Sequence, residues 1–166
     1  WKNSIPVSAT SLATCSSAAC IPVNMDCARK IGVSDDISEM AIPLGTSLHK
    51  DGSVLGGAMK VIFLLGLYGM DTSSPKAIIG MITVSFLVGA VMGAIPNGGM
   101  LGEMFVLTSY GFNANLLPVL AVISTIIDAP ATLINATGNT ISSMLIARFV
   151  NGKNWILKTQ KLQKTA

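Results

Sequence analysis

The chain has 166 residues, of which 51% are hydrophobic and only 11% are charged, and its formal net charge is +3. An ordinary soluble domain has about 25% charged residues, and the mean hydropathy of this chain is high, at +0.62. These values argue against an ordinary soluble domain and favour a membrane protein. A soluble domain with an unusually large core is the alternative.

The first apolar stretch, residues 4–22, is interrupted by "TCSSAACIP". Two interpretations of Ser16 and Ser17 stay open. At the tip of a hairpin, their hydroxyl and N–H groups could bind a carboxylate, helped by the start of the following helix. Alternatively, small residues simply allow two half-helices to pack closely.

The three cysteines of the chain, Cys15, Cys20 and Cys27, lie in this region with spacings of five and seven residues. They form no C-x-x-C pair, and the single histidine, His49, is far along the chain. A zinc site is therefore not expected. The cysteines are interpreted as small, apolar packing residues.

The central part of the chain alternates between polar and apolar stretches. Residues 24–39 are polar and predict a helix end and a loop outside the bilayer. Residues 41–69 are apolar but are broken by "HKDGS", and "DTSSPK" at 71–76 predicts a second surface loop. The apolar stretch 77–111 is broken by "AIPNGGM", because Pro96 followed by two glycines ends a helix. Each half is too short to cross a bilayer, so the stretch predicts a re-entrant helical hairpin.

The last apolar segment, residues 116–150, carries a stripe of polar side chains. Asp128, Thr132, Asn135 and Asn139 are spaced four, three and four residues apart, which places them on one face of a helix. A carboxylate within a membrane segment indicates a functional site. A hydrogen-bonded seam between helices is the alternative.

A basic tail follows this segment. Its lysines, together with Trp155, fit a cytoplasmic end with the tryptophan at the membrane interface. Nucleic-acid binding is disfavoured, because the tail has almost no interleaved aromatic residues and follows a membrane segment. The lysines are Lys153, Lys158, Lys161 and Lys164.

Interrupted apolar segments that recur along a chain are typical of the binding site of a secondary transporter. Unwound backbone at membrane depth is tolerated only where protein buries it or a wet cavity surrounds it. Three such breaks in one short chain predict a cavity.

The motifs "TCSSAACIP", "PLG", "KDG", "AIPNGG" and "D-x-x-x-T-x-x-N-x-x-G-N" occur in this order. In this the chain resembles the dicarboxylate/amino acid:cation symporters, the family of the glutamate transporters, from about Val7 to Gly152. Members of that family are much longer, so the chain is expected to be the C-terminal part of a transport core. It starts as if cut from something longer and has no signal peptide pattern.

The resemblance implies an all-α membrane protein with two re-entrant helical hairpins, one broken transmembrane helix and one long C-terminal transmembrane helix. The implied bounds are about 4–30 for the first hairpin, 40–70 for the broken helix, 77–111 for the second hairpin and 115–150 for the last helix. Residues 153–166 would be the basic cytoplasmic tail.

The resemblance also implies roles for individual residues. Ser16 and Ser17 would hold the α-carboxylate of the substrate. Asp128 would bind its amino group, and Thr132 and Asn135 would contact the substrate and a neighbouring sodium ion. The tip of the second hairpin, similar to an extracellular gate, would consist of Ile95, Pro96, Asn97 and Gly98.

Departures from the family pattern matter as much. Relatives that carry acidic substrates have an arginine where this chain has Ala131. Because a guanidinium is the natural reader of a side-chain carboxylate, its loss predicts a neutral amino acid, such as serine, threonine or alanine. Asn139 replaces an aspartate that ligates sodium in many members, and Ala18 replaces a third serine.

The break "HKDGS" places His49, Lys50 and Asp51 where the family usually has Asn-Met-Asp around sodium ions. Two interpretations of Lys50 stay open. In the first, it is a structural cation that pairs with Asp51 or extends toward the interface. In the second, its ammonium group takes the place of a sodium ion, which predicts fewer sodium ions or proton coupling. The cation site is then formed by His49, Lys50, Asp51, Asn135 and Asn139.

The chain is therefore predicted to belong to a cation-coupled amino acid symporter with an elevator-type movement. We expect sodium or a proton as coupling ion, no other cofactor, a homotrimer in the full-length protein, and a multi-pass location in the plasma membrane. A dicarboxylate symporter and an inactive truncated fragment are the alternatives. An intramembrane hydrolase built on Ser16 or Ser17 with His49 and Asp51 is disfavoured, because the chain has no G-x-S-x-G elbow.

Overall fold

The computed structural model describes residues 2–93 and 97–156. These ranges are 82% helical and contain no strand, which confirms the prediction of an all-α chain. Ile95 and Pro96 of the predicted second hairpin tip, and the last three lysines of the tail, lie outside the described residues. The helices are α1 (Ile5–Thr14), α2 (Ile21–Ile31), α3 (Asp35–Leu48), α4 (Asp51–Leu67), α5 (Pro75–Val91), α6 (Gly98–Tyr110) and α7 (Leu117–Asn151), with short 3-10 turns at Lys2–Ser4 and Ala114–Leu116.

The chain divides into two compact units. The first consists of Trp1–His49 with Thr132–Ala166, and the second of Lys50–Ala131. Residues 117–131 of α7 therefore belong to the second unit and residues 132–151 to the first.

In the first unit, α2 packs against both α1 and α3. The turn after α2 depends on Gly32, whose φ of +117° is favourable only for glycine. Arg29 then fixes the turn from the exposed side, because its guanidinium lies 2.7 Å from both Asp35 and Glu39. The core of this region consists of Ala28, Val33, Ile42, Ala147 and Trp155.

The position of Trp155 differs from the sequence expectation. The side chain was expected at the membrane interface, yet it is only 5% exposed and packs against the turn after α2, 3.7 Å from where a Cβ of Gly32 would lie. The turn at Gly152, with φ of +82°, precedes it. The indole therefore fastens the end of the chain to protein.

In the second unit, α4, α5, α6 and the start of α7 enclose an apolar core of Val61, Leu64, Leu65, Val88, Val106, Leu107 and Leu120. Helix α5 begins with Pro75, which is favoured at the first helical position. Its N-cap is Ser74, whose hydroxyl accepts a hydrogen bond from the Ala77 N–H at 3.2 Å.

The predicted break in the central apolar stretch coincides with the end of α3. His49 is extended, with φ of −89° and ψ of 94°, and α4 starts at Asp51. Helix α3 begins at Asp35 rather than at about residue 40. Two aspartates in its first turn favour this start, because carboxylates stabilise the positive end of a helix.

Helix α7 has the exposure pattern of a membrane helix. Apolar Ile126 and Phe149 are 72% and 87% exposed, whereas polar Thr132 and Ser143 are 4% and 0% exposed. A soluble protein shows the opposite distribution. Among the described residues, one helical stretch, Ala114–Asn151, is long and apolar enough to cross a bilayer. The prediction of a long apolar C-terminal helix is confirmed.

Candidate functional site

The residues singled out in the sequence lie in both units. In the first unit, Ser16 and Ser17 lie half-buried in the turn between α1 and α2. The Ser16 hydroxyl accepts a hydrogen bond from the Ala19 N–H at 3.3 Å, and the Ser16 N–H donates to the Thr14 hydroxyl. These two hydrogen bonds hold Ser16 in the turn that precedes α2.

Cys15 ends α1 in the left-handed conformation, with φ of +49°. Its thiol is exposed, whereas Cys20 and Cys27 are buried. The two buried cysteines lie in a cluster with Val7 and Ala136, in agreement with their interpretation as packing residues.

Asn139 is the polar residue of α7 with the most clearly defined contacts. Its amide nitrogen donates to the Ile42 carbonyl at 2.8 Å and to the Thr46 hydroxyl at 3.2 Å. Its Oδ1 is buried and accepts no hydrogen bond from the described residues. Gly45 makes this approach possible, because a Cβ there would lie 2.7 Å from the Asn139 Cγ. Asn139 therefore acts as a donor toward α3, and its Oδ1 packs against Gly45.

A cavity of about 580 Å³ borders this contact. Its lining is mostly apolar and includes Gly45, His49 and Asn139. Two of the predicted cation-site residues, His49 and Asn139, therefore line the same cavity. The other lining residues are Asp36, Ile37, Met40, Ala41, Leu44, Leu48, Ser142, Ile146 and Val150.

A second buried polar contact joins α2 to α7 and was missed in the sequence. Asn24 donates to the Ala136 carbonyl at 2.9 Å, and the Thr140 hydroxyl donates to Asn24 Oδ1 at 2.5 Å. Thr140 lies one residue after the predicted stripe. Asn24 belongs to the polar stretch 24–39, which was interpreted as lying outside the bilayer, so a polar residue there did not indicate a buried contact.

In the second unit, Lys50 precedes α4 and is buried, with 7% of its surface exposed, whereas Asp51 at the start of α4 is exposed. The next residue, Gly52, is in close contact with α7, because a Cβ there would lie 2.8 Å from the Ala131 Cα. Ala131, where the resemblance implies an arginine in carriers of acidic substrates, is thus backed by the start of α4.

Asp128 and Asn97 are both exposed in the second unit. Asn97 adopts a left-handed conformation, with φ of +60°, immediately before α6, and Gly98 is the buried first residue of that helix. Asp128 lies on the same helix as Thr132 and Asn135, but it is exposed whereas they are buried. Among the described residues, no group of three or more His, Cys, Asp or Glu side chains could hold a metal ion.

A buried ion pair joins α4 to α6 and was not predicted from the sequence. Lys60 Nζ lies 3.5 Å from Glu103 Oε1, and the two side chains are 2% and 5% exposed. Ser124 of α7 donates a hydrogen bond to the same oxygen. The signal that could have found the pair is the isolation of each charge within an apolar segment.

An all-α chain with one helix long and apolar enough to cross a bilayer favours a membrane protein. The chain belongs to the sodium:dicarboxylate symporter family, whose model matches residues 1–149.

Curated relatives agree with this assignment. The chain is 27% identical to neutral amino acid transporter A of Homo sapiens over 83% of its length, and 28% identical to neutral amino acid transporter B(0) of Rattus norvegicus over 86%. It is 27% identical to a proton/sodium-glutamate symport protein of Bacillus caldotenax over 89%. The chain spans only 26%, 26% and 36% of these three relatives. No solved structure gives a significant match.

Proposed function

We propose that this chain is part of a cation-coupled amino acid transporter, with a small neutral amino acid as substrate. The observation that carries the proposal is the polar stripe of α7, on a helix that otherwise exposes apolar surface. Thr132, Asn135 and Asn139 are buried, and Asp128 on the same helix is exposed and therefore accessible to a ligand. Relatives named as neutral amino acid transporters and as a glutamate symporter support an amino acid as the substrate.

The helix lengths support two re-entrant hairpins. Helices α1 and α2 have 10 and 11 residues, and α5 and α6 have 17 and 13. A membrane-spanning helix needs about 20 residues. Each pair is therefore proposed to enter the membrane and return to the same side. Helices α3 and α4 form the broken transmembrane helix, and α7, at 35 residues, is long enough to cross fully.

The substrate site is proposed to comprise Ser16 and Ser17 for the α-carboxylate, Asp128 for the ammonium group, and Thr132 and Asn135 for further polar contacts. The tip of the second hairpin, residues 95–98, acts as the gate. A carboxylate pairs favourably with an ammonium group through charge-assisted hydrogen bonds. Asp128 would repel a second carboxylate, which disfavours a dicarboxylate as substrate.

Sodium or a proton is proposed as the coupling ion, with Asn139 Oδ1 as one ligand and His49, Lys50, Asp51 and Asn135 as the remaining members of the site. Lys50 is proposed to replace one sodium ion with its ammonium group. Sodium dependence should then be stricter in a Lys50→Met variant than in the wild type. An unchanged sodium dependence would contradict this assignment of Lys50.

The full-length protein is proposed to be a homotrimer in the plasma membrane, with the C-terminus in the cytoplasm and an elevator-type movement of the transport core. Residues 153–166 are its basic cytoplasmic tail.

The test is uptake of radiolabelled L-serine and L-glutamate by the full-length protein in proteoliposomes, with and without sodium. Asp128→Asn should abolish uptake without preventing membrane insertion, because the ammonium group loses its charged partner. Asp26→Asn, which removes the same charge from the exposed side of α2, is the control and should retain uptake. Normal uptake by Asp128→Asn would overturn the assignment of this residue.

A further inference from the structure

The second unit contains a buried cation that the proposed substrate site does not use. The Lys60 side chain is 2% exposed, and its nearest carboxylate oxygen, Glu103 Oε1, is 3.5 Å away. An ammonium–carboxylate hydrogen bond is normally 2.7–2.9 Å long. The hydrogen bond between the pair is therefore long, and the ammonium group, which has three N–H donors, can also interact with a second acceptor.

Glu103, in contrast, is held in place. The Ser124 hydroxyl donates to the same Oε1, so that α7 fixes the carboxylate that α6 supplies. Glu103 is surrounded by the apolar core of the second unit, where Val106 and Leu107 of the same helix are fully or almost fully buried. Of the two partners, Lys60 has the longer and more flexible side chain and is the one free to move.

Asp128 is the second carboxylate that acts on Lys60. It lies four residues after Ser124, so the two side chains lie on the same face of α7. The Ser124 hydroxyl reaches Glu103, so Asp128, one helical turn further on, lies near the Lys60–Glu103 pair, and its charge acts on Lys60 less strongly than that of Glu103. One buried cation is therefore attracted by two carboxylates, one held by Ser124 and the other exposed to a ligand.

We propose that Lys60 is an internal competitor for Asp128. Its ammonium group and the ammonium group of the substrate compete for the same carboxylate. Glu103, anchored by Ser124, is the alternative partner to which Lys60 withdraws when the substrate binds. Lys60 and Glu103 thereby set the affinity for the amino group, although neither touches the substrate. This inference rests on the proposed function, because it requires Asp128 to bind an ammonium group.

The physical reason is charge repulsion in a medium of low dielectric constant. Two cations near one carboxylate repel each other more strongly there than in water. A ligand can shift such an equilibrium only through its different affinity for the two arrangements. Here the difference is whether Lys60 points toward Asp128 or toward Glu103.

Two variants test the inference, because they should change affinity in opposite directions. Glu103→Gln removes the negative charge of the alternative partner, so Lys60 is attracted mainly by Asp128. L-serine should then bind about five- to tenfold more weakly. The double variant Lys60→Met/Glu103→Gln removes the competitor, and L-serine should bind about five- to tenfold more tightly. A neutral pair of similar volume often replaces a buried ion pair without loss of stability, so the double variant should fold.

Binding is measured on the full-length protein with radiolabelled L-serine at pH 6, which favours the charged form of lysine. Lys76→Met, which removes one exposed lysine at the start of α5, is the matched control and should not change affinity. A purely structural ion pair would not tighten binding in the double variant. Unchanged or weaker binding by that variant, beside a wild type that binds L-serine, overturns the inference alone. A wild type that binds neither L-serine nor L-glutamate overturns the proposed function, and this inference with it.

Discussion

Asn139 donates its side-chain amide to the main-chain carbonyl of Ile42 at 2.8 Å. The Thr46 hydroxyl donates to the same carbonyl at 2.8 Å and accepts a hydrogen bond from Asn139. Only an amide can make these contacts, because a carboxylate has no N–H to donate. Asn139 is therefore part of the packing between α3 and α7.

Asn139→Asp should destabilise the first unit. The variant loses both donated hydrogen bonds and places a negative charge beside a carbonyl oxygen, at an expected cost of about 1–3 kcal/mol. Thermal unfolding of the purified protein in detergent measures the change. Asn154→Asp, at an exposed position after α7, is the control and should leave the midpoint unchanged. Equal midpoints for the two variants would show that the amide contacts contribute nothing.

Gly45→Ala should weaken the same contact from the α3 side. The new Cβ would lie 2.7 Å from the Asn139 Cγ, so one of the two helices must shift, at a cost of about 1–3 kcal/mol. Gly66→Ala in α4 is the matched control, because nothing lies within 4 Å of its Cβ and alanine favours a helix. The prediction fails if both variants unfold at the same temperature.

These contacts show which features the sequence could predict. The apolar runs predicted the long last helix, because it depends on local properties of the chain, and the family resemblance implied the all-α class. Periodicity predicted that Thr132, Asn135 and Asn139 share a face. It could not predict that Asn139 donates to Ile42, since that contact joins residues 97 positions apart.

Lys60 and Trp155 illustrate the same limit. Lys60 and Glu103 are each visible as isolated charges, but their pairing across 43 residues depends on how α4 and α6 pack. Trp155 was expected at the membrane interface because it follows the last apolar segment. Its packing against the turn at Gly32 is a tertiary contact, which the sequence does not show. Helix α3 began earlier than predicted because its first residues are polar, and the prediction relied on apolar runs.

Cys15 should be the cysteine that reacts first with a hydrophilic maleimide. It is exposed, whereas Cys20 and Cys27 are each 1% exposed. Peptide mapping by mass spectrometry should find the label on Cys15 and not on Cys20 or Cys27, and Cys15→Ser should show no label at these positions on the same timescale. Labelling of Cys20 or Cys27 at the rate of Cys15 would contradict the packing of α1 against α2.

Asp71, in the loop between α4 and α5, should stay ionised at a lower pH than an ordinary aspartate. The Ser74 side chain, the backbone N–H groups of Ser73 and Ser74, and the Ser73 side chain lower the pKa of Asp71 to about 2. A lowered pKa in the folded state means that Asp71 stabilises the loop above pH 4 and that this contribution is lost as the pH falls toward 2. Carboxyl-carbon NMR should give a midpoint near 2. Ser74→Ala should raise it, whereas Ser109→Ala at the end of α6 should not.

Ala131→Arg should shift substrate preference toward acidic amino acids. Residue 131 follows Asp128 by three positions, so a guanidinium there lies on the same side of α7 as the carboxylate proposed to bind the amino group. The start of α4 backs this position, since Gly52 approaches the Ala131 backbone, and the new side chain must therefore extend away from α4. A bidentate guanidinium would bind a side-chain carboxylate, and L-aspartate should compete about tenfold better against L-serine uptake, a difference of about 1.4 kcal/mol. Ala131→Met, which adds length without charge, is the control and should show no gain for L-aspartate. If Ala131→Arg inserts normally and gains no more than Ala131→Met, the preference for neutral substrates has a cause other than the missing guanidinium.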